Sequence, residues 1–462
     1  MRGAPPHATP RCATPARRLA LALLFAALGV QCPRARGDTG WGEASEVFRG
    51  GGRTAAPAVV TDPAGNVHLF FVAAPPGEER QANTLMYAQR TDGRWSTPVA
   101  VVASPNCDHL EFPTVAVDTG GWVHVVYQGP HYGRLEYQRA HLSRLSDPEA
   151  WSRSLTLSDG GAFSSRLVAA SDGRLHLVYA SRKGDVFYRR SDDGGRTWSD
   201  QVAVSAVDQA REASNEPDLG VDARGRLHAV WTQFYLPKGW PPAGGYYSRS
   251  LDGGATWSAP RRIAGDNYGQ VTVATHGADE VHLAWNAVVA VGDRTHQLSR
   301  DGGETWTAPQ LIARSIRGGW TGGPAMVFDS AGALHLVTSV DGPHGVEQIF
   351  HVAWDGSAWS EPELVSAGTV ASKSVEYPVL AISEGNRLHV AYEGDYRSVW
   401  YAEHRSNAPP IAAQPVPTVA TGLRAAFASS SWTFRVLVVV LALLAIEAAA
   451  EWGWRLLRRG AR

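Results

Sequence analysis

Cysteine is nearly absent. Of three in 462 residues, Cys12 and Cys32 fall in a leader-like stretch, which leaves Cys107 alone in the body. That excludes a disulfide framework and any zinc site built on cysteine pairs. Charge imbalance is absent too. With 43 basic and 44 acidic side chains the formal net charge is −1, so nothing draws the chain to nucleic acid or to an anionic lipid surface. Charged residues make up 19%, below the roughly 25% of an average soluble domain. Methionine is scarce, 3 against 17 tryptophans, a bias that favours strands. Glycine and proline are plentiful, 48 and 28, and point to many turns and short elements. A hydrophobic content of 44% suffices for a large core and excludes wholesale disorder.

Two terminal segments stand apart. Residues 1–37 read as a signal peptide, with Arg11, Arg17 and Arg18 ahead of the apolar run 19–30, which is too short to span a bilayer. Beyond the body, residues 38–405, the composition changes. Residues 406–431 form a Pro/Ala-rich linker containing Pro409, Pro410, Pro415 and Pro417, expected to be extended. Residues 432–454 read as a transmembrane helix with tryptophans at both ends, and 455–462 as a basic cytoplasmic tail carrying Arg455, Arg458, Arg459 and Arg462. Glu447 and Glu451 count against a span; an amphipathic surface helix is the alternative. The expectation is a single-pass cell-membrane protein with its body on the extracytoplasmic side.

The body is repetitive. An apolar strand, a turn built on Asp and Gly, and an apolar–His–apolar strand recur, as in PAVVTDPAGNVHLFF from Pro57 and PTVAVDTGGWVHVVY from Pro113. The aligned histidines are His68, His124, His176, His228, His282, His335 and His389, spaced 56, 52, 52, 54, 53 and 54 residues apart. A third strand follows each hairpin, then a fourth expected to begin at Trp95, Trp151, Trp198, Trp257, Trp306 and Trp359. A further copy at Trp41 precedes the first hairpin, and the last unit lacks its fourth strand. Half-units at the two ends close a ring without a free edge. The predicted fold is therefore all-β: a seven-bladed β-propeller of four-stranded antiparallel blades, its last blade completed by the N-terminal strand, with the C-terminal transmembrane helix appended. Each histidine sits in its own blade, so the seven cannot converge on one ion, and neither a metal nor another cofactor is expected. Asp62, Asp118, Asp222 and Asp329 each precede a repeat histidine by six residues, a spacing that allows an Asp–His hydrogen bond across the hairpin.

Three turns are strict: SDDGGRTW from Ser191, SLDGGATW from Ser250 and SRDGGETW from Ser299. Asp193, Asp252 and Asp301 suit Asx-turns. Gly195, Gly254 and Gly303 permit positive φ, and Trp198, Trp257 and Trp306 offer rings to bury between blades. These turns resemble the Asp-box repeat of the sialidase (neuraminidase) superfamily, and the resemblance spans about 365 residues of the chain. It implies that the Asp boxes lie on the face opposite the functional site. The expected site therefore lies among loops that enter the first strands and link the second to the third. Sialidases need arginines that converge on a sugar carboxylate, a tyrosine nucleophile assisted by a carboxylate, and a separate acid. The resemblance points to Tyr377, Glu376, Glu216 and Asp266 for catalysis. It points to Arg53, Arg211, Arg314, Arg317, Arg397 and Trp320 for substrate binding. The sequence departs from the family at VFRGGGRTAAP, where an Arg-Ile-Pro motif belongs, and in having seven units where six are usual. The reading taken is thus an exported, membrane-anchored propeller that binds a glycan or protein ligand without turnover. The alternatives are an exo-acting glycoside hydrolase of sialidase type, and a scaffold or assembly factor for a membrane complex.

Overall fold

The computed structural model describes residues 40–417 apart from 75–82, 104–109, 130–132, 159, 288–292, 313–321, 342–346 and 370–374. These residues form seven antiparallel sheets arranged as blades. The first strands are Thr54–Thr61, Glu111–Val117, Ala162–Ala169, Glu212–Val221, Tyr268–His276, Ala325–Phe328 and Val375–Ser383, which number blades 1 to 7. The second strands are buried along nearly their whole length, Val67–Ala73 and Leu175–Ser181 entirely, because neighbouring sheets cover both of their faces.

Blade 7 is closed as expected. Ser45–Arg49 pairs antiparallel with Ser398–Arg405, Ser45 opposite Tyr401, and Gly42 N donates to Glu403 O at 3.2 Å. The fourth strands differ in detail from expectation. In every blade pairing resumes four residues after the tryptophan, at Ser45, Val99, Leu155, Val202, Arg261, Gln310 and Glu363. Proline occupies the third place after the tryptophan in four blades (Pro98, Pro260, Pro309, Pro362) and has no N–H to give the ladder.

Blades are joined by a repeated polar–aromatic contact. His124 Nδ1 meets Tyr137 Oη of the third strand at 2.7 Å, and its Nε2 meets Asp118 Oδ2 at 3.2 Å. Blades 1 and 4 repeat both bonds through His68 and His228. In blades 5 and 6 a second histidine replaces the tyrosine, His296 and His351. The tryptophan of the next blade then packs edge-on against that third-strand ring: Trp198 on Tyr137, Trp257 on Tyr188, Trp306 on Tyr247, Trp359 on His296 and Trp41 on His351. The Asp-box glycine supplies the space. A Cβ on Gly195, Gly254 or Gly303 would overlap Tyr137, Tyr188 or Tyr247. The Asp-box aspartates accept backbone N–H bonds, as Asp252 does from Thr256 N at 2.9 Å.

Residues 406–417 run back across the Asp-box face. Asn386 Nδ2 donates to Ala408 O at 2.9 Å, Ile411 N to Glu384 O at 2.7 Å and Gln414 N to Pro63 O at 2.6 Å. The strap thereby ties blade 7 to blade 1. The expected transmembrane helix is corrected: among the described residues there is no α-helix, only two single-turn 3-10 segments, and no helix long and apolar enough to cross a membrane. Residues 432–454, like the leader 1–37 and Cys107, lie outside the described residues.

Gly254→Ala tests the inter-blade contact. Gly225→Ala, at a similar φ of 77° with no atom within 4 Å of its added Cβ, is expected to cost about 1 kcal/mol. Gly254→Ala adds the overlap with Tyr188 and is expected to cost about 3 kcal/mol more, read from urea unfolding midpoints.

Candidate functional site

The first strands line a central cavity of about 680 Å³. Its mouth has a repeated construction. In blades 1, 2, 4, 5 and 7 the first strand slips register at a β-bulge, between Ala55 and Ala58, Glu111 and Thr114, Asn215 and Asp218, Gly269 and Thr272, and Glu376 and Val379. Within each bulge one non-glycine residue is left-handed: Ala56, Phe112, Glu216, Gln270 and Tyr377, with φ of 52°, 47°, 53°, 52° and 52°. Proline follows in blades 1, 2, 4 and 7 and removes a ladder donor. Bulges of this kind re-aim side chains, and all five residues line the cavity. Each such backbone costs roughly 1–3 kcal/mol.

Hydrogen bonds link these bulges around the mouth. Glu216 N donates to Ser164 Oγ of blade 3 at 3.1 Å. Thr232 Oγ1 donates to Glu216 Oε2 at 3.0 Å and accepts from Gln270 N of blade 5 at 2.8 Å. Asn286 Nδ2 donates to Gln270 Oε1 at 2.9 Å. Burial pushes the Glu216 carboxyl up to about 7 against the opposing bonds from Thr232 and Gln270.

Blade 7 carries the densest group. Glu376 and Glu393 face each other across the ladder. Tyr396 Oη donates to Glu376 Oε1 at 2.9 Å, and Ala56 N of blade 1 donates to Glu393 Oε2 at 3.3 Å. The other Glu393 oxygen is buried and has no partner among the described residues. Burial, with Glu376 adding to it, pushes the Glu393 carboxyl up to about 7. The Tyr377 ring is 37% exposed, yet the protein packed about its phenol end pushes the hydroxyl up, and the charges of Glu376, Glu393 and Glu216 reinforce this. That is the opposite of what an activated tyrosine nucleophile requires. Because Glu216 belongs to blade 4, its influence on Tyr377 also places the two sides of the mouth within electrostatic reach of each other.

The other named residues separate. Arg53 lies at the rim, 3.6 Å from Glu111. Asp266 is exposed and bonded to Arg262. Arg211 is exposed and sits 3.7 Å from Asp208, and Arg397 is exposed in the turn that leads into Ser398–Arg405. None of these four lines the cavity. Arg314, Arg317 and Trp320 lie outside the described residues. Among the described residues no arginine cluster forms at the mouth; the cavity-lining arginine there is Arg166, whose Nε is 3.1 Å from Asp218 Oδ1. No group of three or more His, Cys, Asp or Glu among them could hold a metal.

Sequence reading missed Phe112, Gln270, Arg166 and Glu393. One signal was available. Gln128, Thr232, Asn286 and Glu393 each stand four places after a repeat histidine, the position that reaches across to the next blade at the mouth.

Comparison with known proteins agrees with the fold. A BNR repeat-like domain is matched over residues 30–216, which takes in blades 1 to 3, so over that part the chain resembles propellers built of BNR repeats. A Dyadobacter fermentans protein of unknown function shares 15% identity over 79% of this chain and 98% of its own, at a TM-score of 0.52. An ulvan lyase, of a new polysaccharide lyase family, shares 12% over 76% of this chain and 93% of its own, at 0.53. A Hadza microbial sialidase shares 17% over 78% and 68%, at 0.46. No curated protein matches the sequence.

Glu393→Gln tests the buried carboxyl. A group held near 7 in the folded state and near 4.5 when exposed keeps a proton that the unfolded chain has lost, so stability falls as pH rises across that interval. The variant is expected to match the parent below about pH 4.5 and to exceed it by up to about 3 kcal/mol above pH 7, measured by urea unfolding across pH.

Proposed function

We propose that this chain is an exported glycan-binding propeller whose mouth face holds an uncharged sugar ligand without turnover. The observation that carries the reading is the placement of exposed aromatic rings. Among the described residues these are Phe112, Tyr235, Trp240, Tyr377 and Tyr396. All five lie at the mouth, where first strands begin or where second strands pass into third strands. On the Asp-box face and along the outer strands the exposed large apolar residues are aliphatic, such as Leu251, Leu311 and Ile411. Aromatic rings cover the C–H faces of pyranose sugars, and Gln270, Asn215 and Glu216 beside them can pair with hydroxyls. A concave cavity with a few convergent polar groups suits such a ligand. The carboxyls of Glu216, Glu376 and Glu393 disfavour an acidic sugar, and Arg53 and Arg166 are already paired. The raised Tyr377 hydroxyl and the bonding of Glu376 to Tyr396 support binding over hydrolysis. The ulvan lyase is a glycan-active protein of the same fold. Export rests on the leader signature of residues 1–37.

The test is glycan-array and calorimetric binding by the folded chain, with neutral and uronate-containing sugars compared. Phe112→Ala and Tyr377→Ala are each expected to weaken binding about ten-fold, a loss on the order of 1.4 kcal/mol, while Asp301→Ala on the opposite face leaves it unchanged. Sugar release detected during binding, or equal affinity in all variants, would refute the reading.

A further inference from the structure

The aromatic residues of the mouth face are not confined to the cavity. Tyr235 and Trp240 flank the connection between the second strand, Leu227–Tyr235, and the third, Pro242–Ser250, of blade 4. Tyr235 is 50% and Trp240 38% exposed, with Leu236 between them at 40%. This connection is held in place by backbone bonds: Leu236 N donates to Arg211 O at 2.6 Å, Gly239 N to Tyr235 O at 2.7 Å and Asn267 N to Pro242 O at 3.0 Å. Its base adjoins the mouth. Gly269 is packed so closely that an added Cβ would stand 3.3 Å from Pro242 Cγ and 2.7 Å from Thr232 Cγ2. The next residue is Gln270, bonded to the same Thr232 that holds Glu216.

Polar groups border this second aromatic surface. Glu212 stands opposite Tyr235 in the ladder and Arg262 opposite Tyr246, so groups able to bond sugar hydroxyls lie on the strands beside the Tyr235 ring. Across the mouth, Tyr377 and Tyr396 offer rings from blade 7. A single sugar in the cavity would leave Tyr235, Leu236 and Trp240 in water, and contiguous exposed apolar surface of this kind marks a binding site.

We infer that the ligand is a linear oligosaccharide lying across the mouth from blade 7 to blade 4, with Tyr235 and Trp240 forming a second sugar subsite outside the cavity. The inference rests on the glycan reading of the mouth. A chain that covers both aromatic surfaces gains from joining two weak contacts, since the second engagement is intramolecular.

The experiment titrates xylo-, cello- and manno-oligosaccharides of one to six units into the full chain, the Tyr235→Ala/Trp240→Ala double variant and Tyr377→Ala. For the parent, affinity is expected to rise at least ten-fold from the monosaccharide to the hexamer of the preferred series. The double variant is expected to lose that length-dependent gain, binding the hexamer no more tightly than it binds the monosaccharide. Tyr377→Ala is expected to weaken every length alike. Length-independent binding, or a double variant that holds the hexamer as tightly as the parent, overturns the second subsite and leaves the mouth reading intact. Failure of all three series to bind the parent overturns both. Unchanged thermal midpoints in the variants, whose replaced residues are partly exposed, separate lost contact from lost fold.

Discussion

Everything in this molecule hangs on how one blade grips the next. The grip is a chain of four groups: an aspartate in the hairpin turn, the repeat histidine, a third-strand tyrosine or histidine, and the tryptophan of the following blade. His68, His124, His228, His282 and His389 are almost wholly buried, and a buried imidazole without partners would be costly. A tyrosine hydroxyl and the turn aspartate satisfy both ring nitrogens of His68, His124 and His228. Tyr401 and Ser383 do so for His389, and His282 is bonded through His296 alone, its Nε2 having no hydrogen-bond partner among the described residues. Burial keeps His282 and His389 neutral, held down to about 3. The tyrosine then serves a second purpose, because its ring is the surface on which the next tryptophan sits. The repeat histidines are therefore coupled to ring closure rather than to chemistry at the mouth.

A toroid built by such nearest-neighbour contacts has one weak seam, where the two ends of the chain meet. Here that seam lies in blade 7, and it is fastened twice. The strand Ser45–Arg49 supplies the outer edge of the sheet, and residues 406–417 cross the opposite face to reach Pro63 of blade 1. Glu393 adds a third tie at the mouth through Ala56 N. Tyr377 and Tyr396, two of the residues proposed to hold ligand, thus lie beside the closure and take their positions from it.

The architecture was legible in the sequence because the features that make it are local and periodic. A histidine every 52 to 56 residues and three strict Asp boxes define the blades without any knowledge of contacts. The partner of each histidine was not legible as a partner, since Tyr87, Tyr137 and Tyr401 read simply as third-strand aromatics until the sheet register sets them opposite. The mouth was less legible still. Its residues are aimed by bulges, and a slip of register leaves no mark in an apolar pattern except the proline that follows. Glu216 and Tyr377 were found through family resemblance, whereas Phe112, Gln270 and Glu393 required the bulge and the neighbouring blade. Arg211, Arg397 and Asp266 show the converse: charged residues in the expected loops need not reach the cavity.

The two faces treat the same functional group in opposite ways. On the Asp-box face, Asp252 and Asp301 accept bonds from Thr256 and Thr305, which draw their carboxyls down to about 2. There the charge is used in holding a turn. At the mouth, Glu216 and Glu393 are driven up to about 7 by burial, and one Glu393 oxygen has no partner among the described residues. Five non-glycine residues of the first-strand bulges are also held left-handed there, as is Tyr396. Unspent hydrogen-bonding capacity, strained backbone and exposed aromatic rings coincide on one rim. A ligand that offers a C–H face would cover the last. The Asp-box turns can therefore stay rigid while the mouth retains the free energy that recognition draws on.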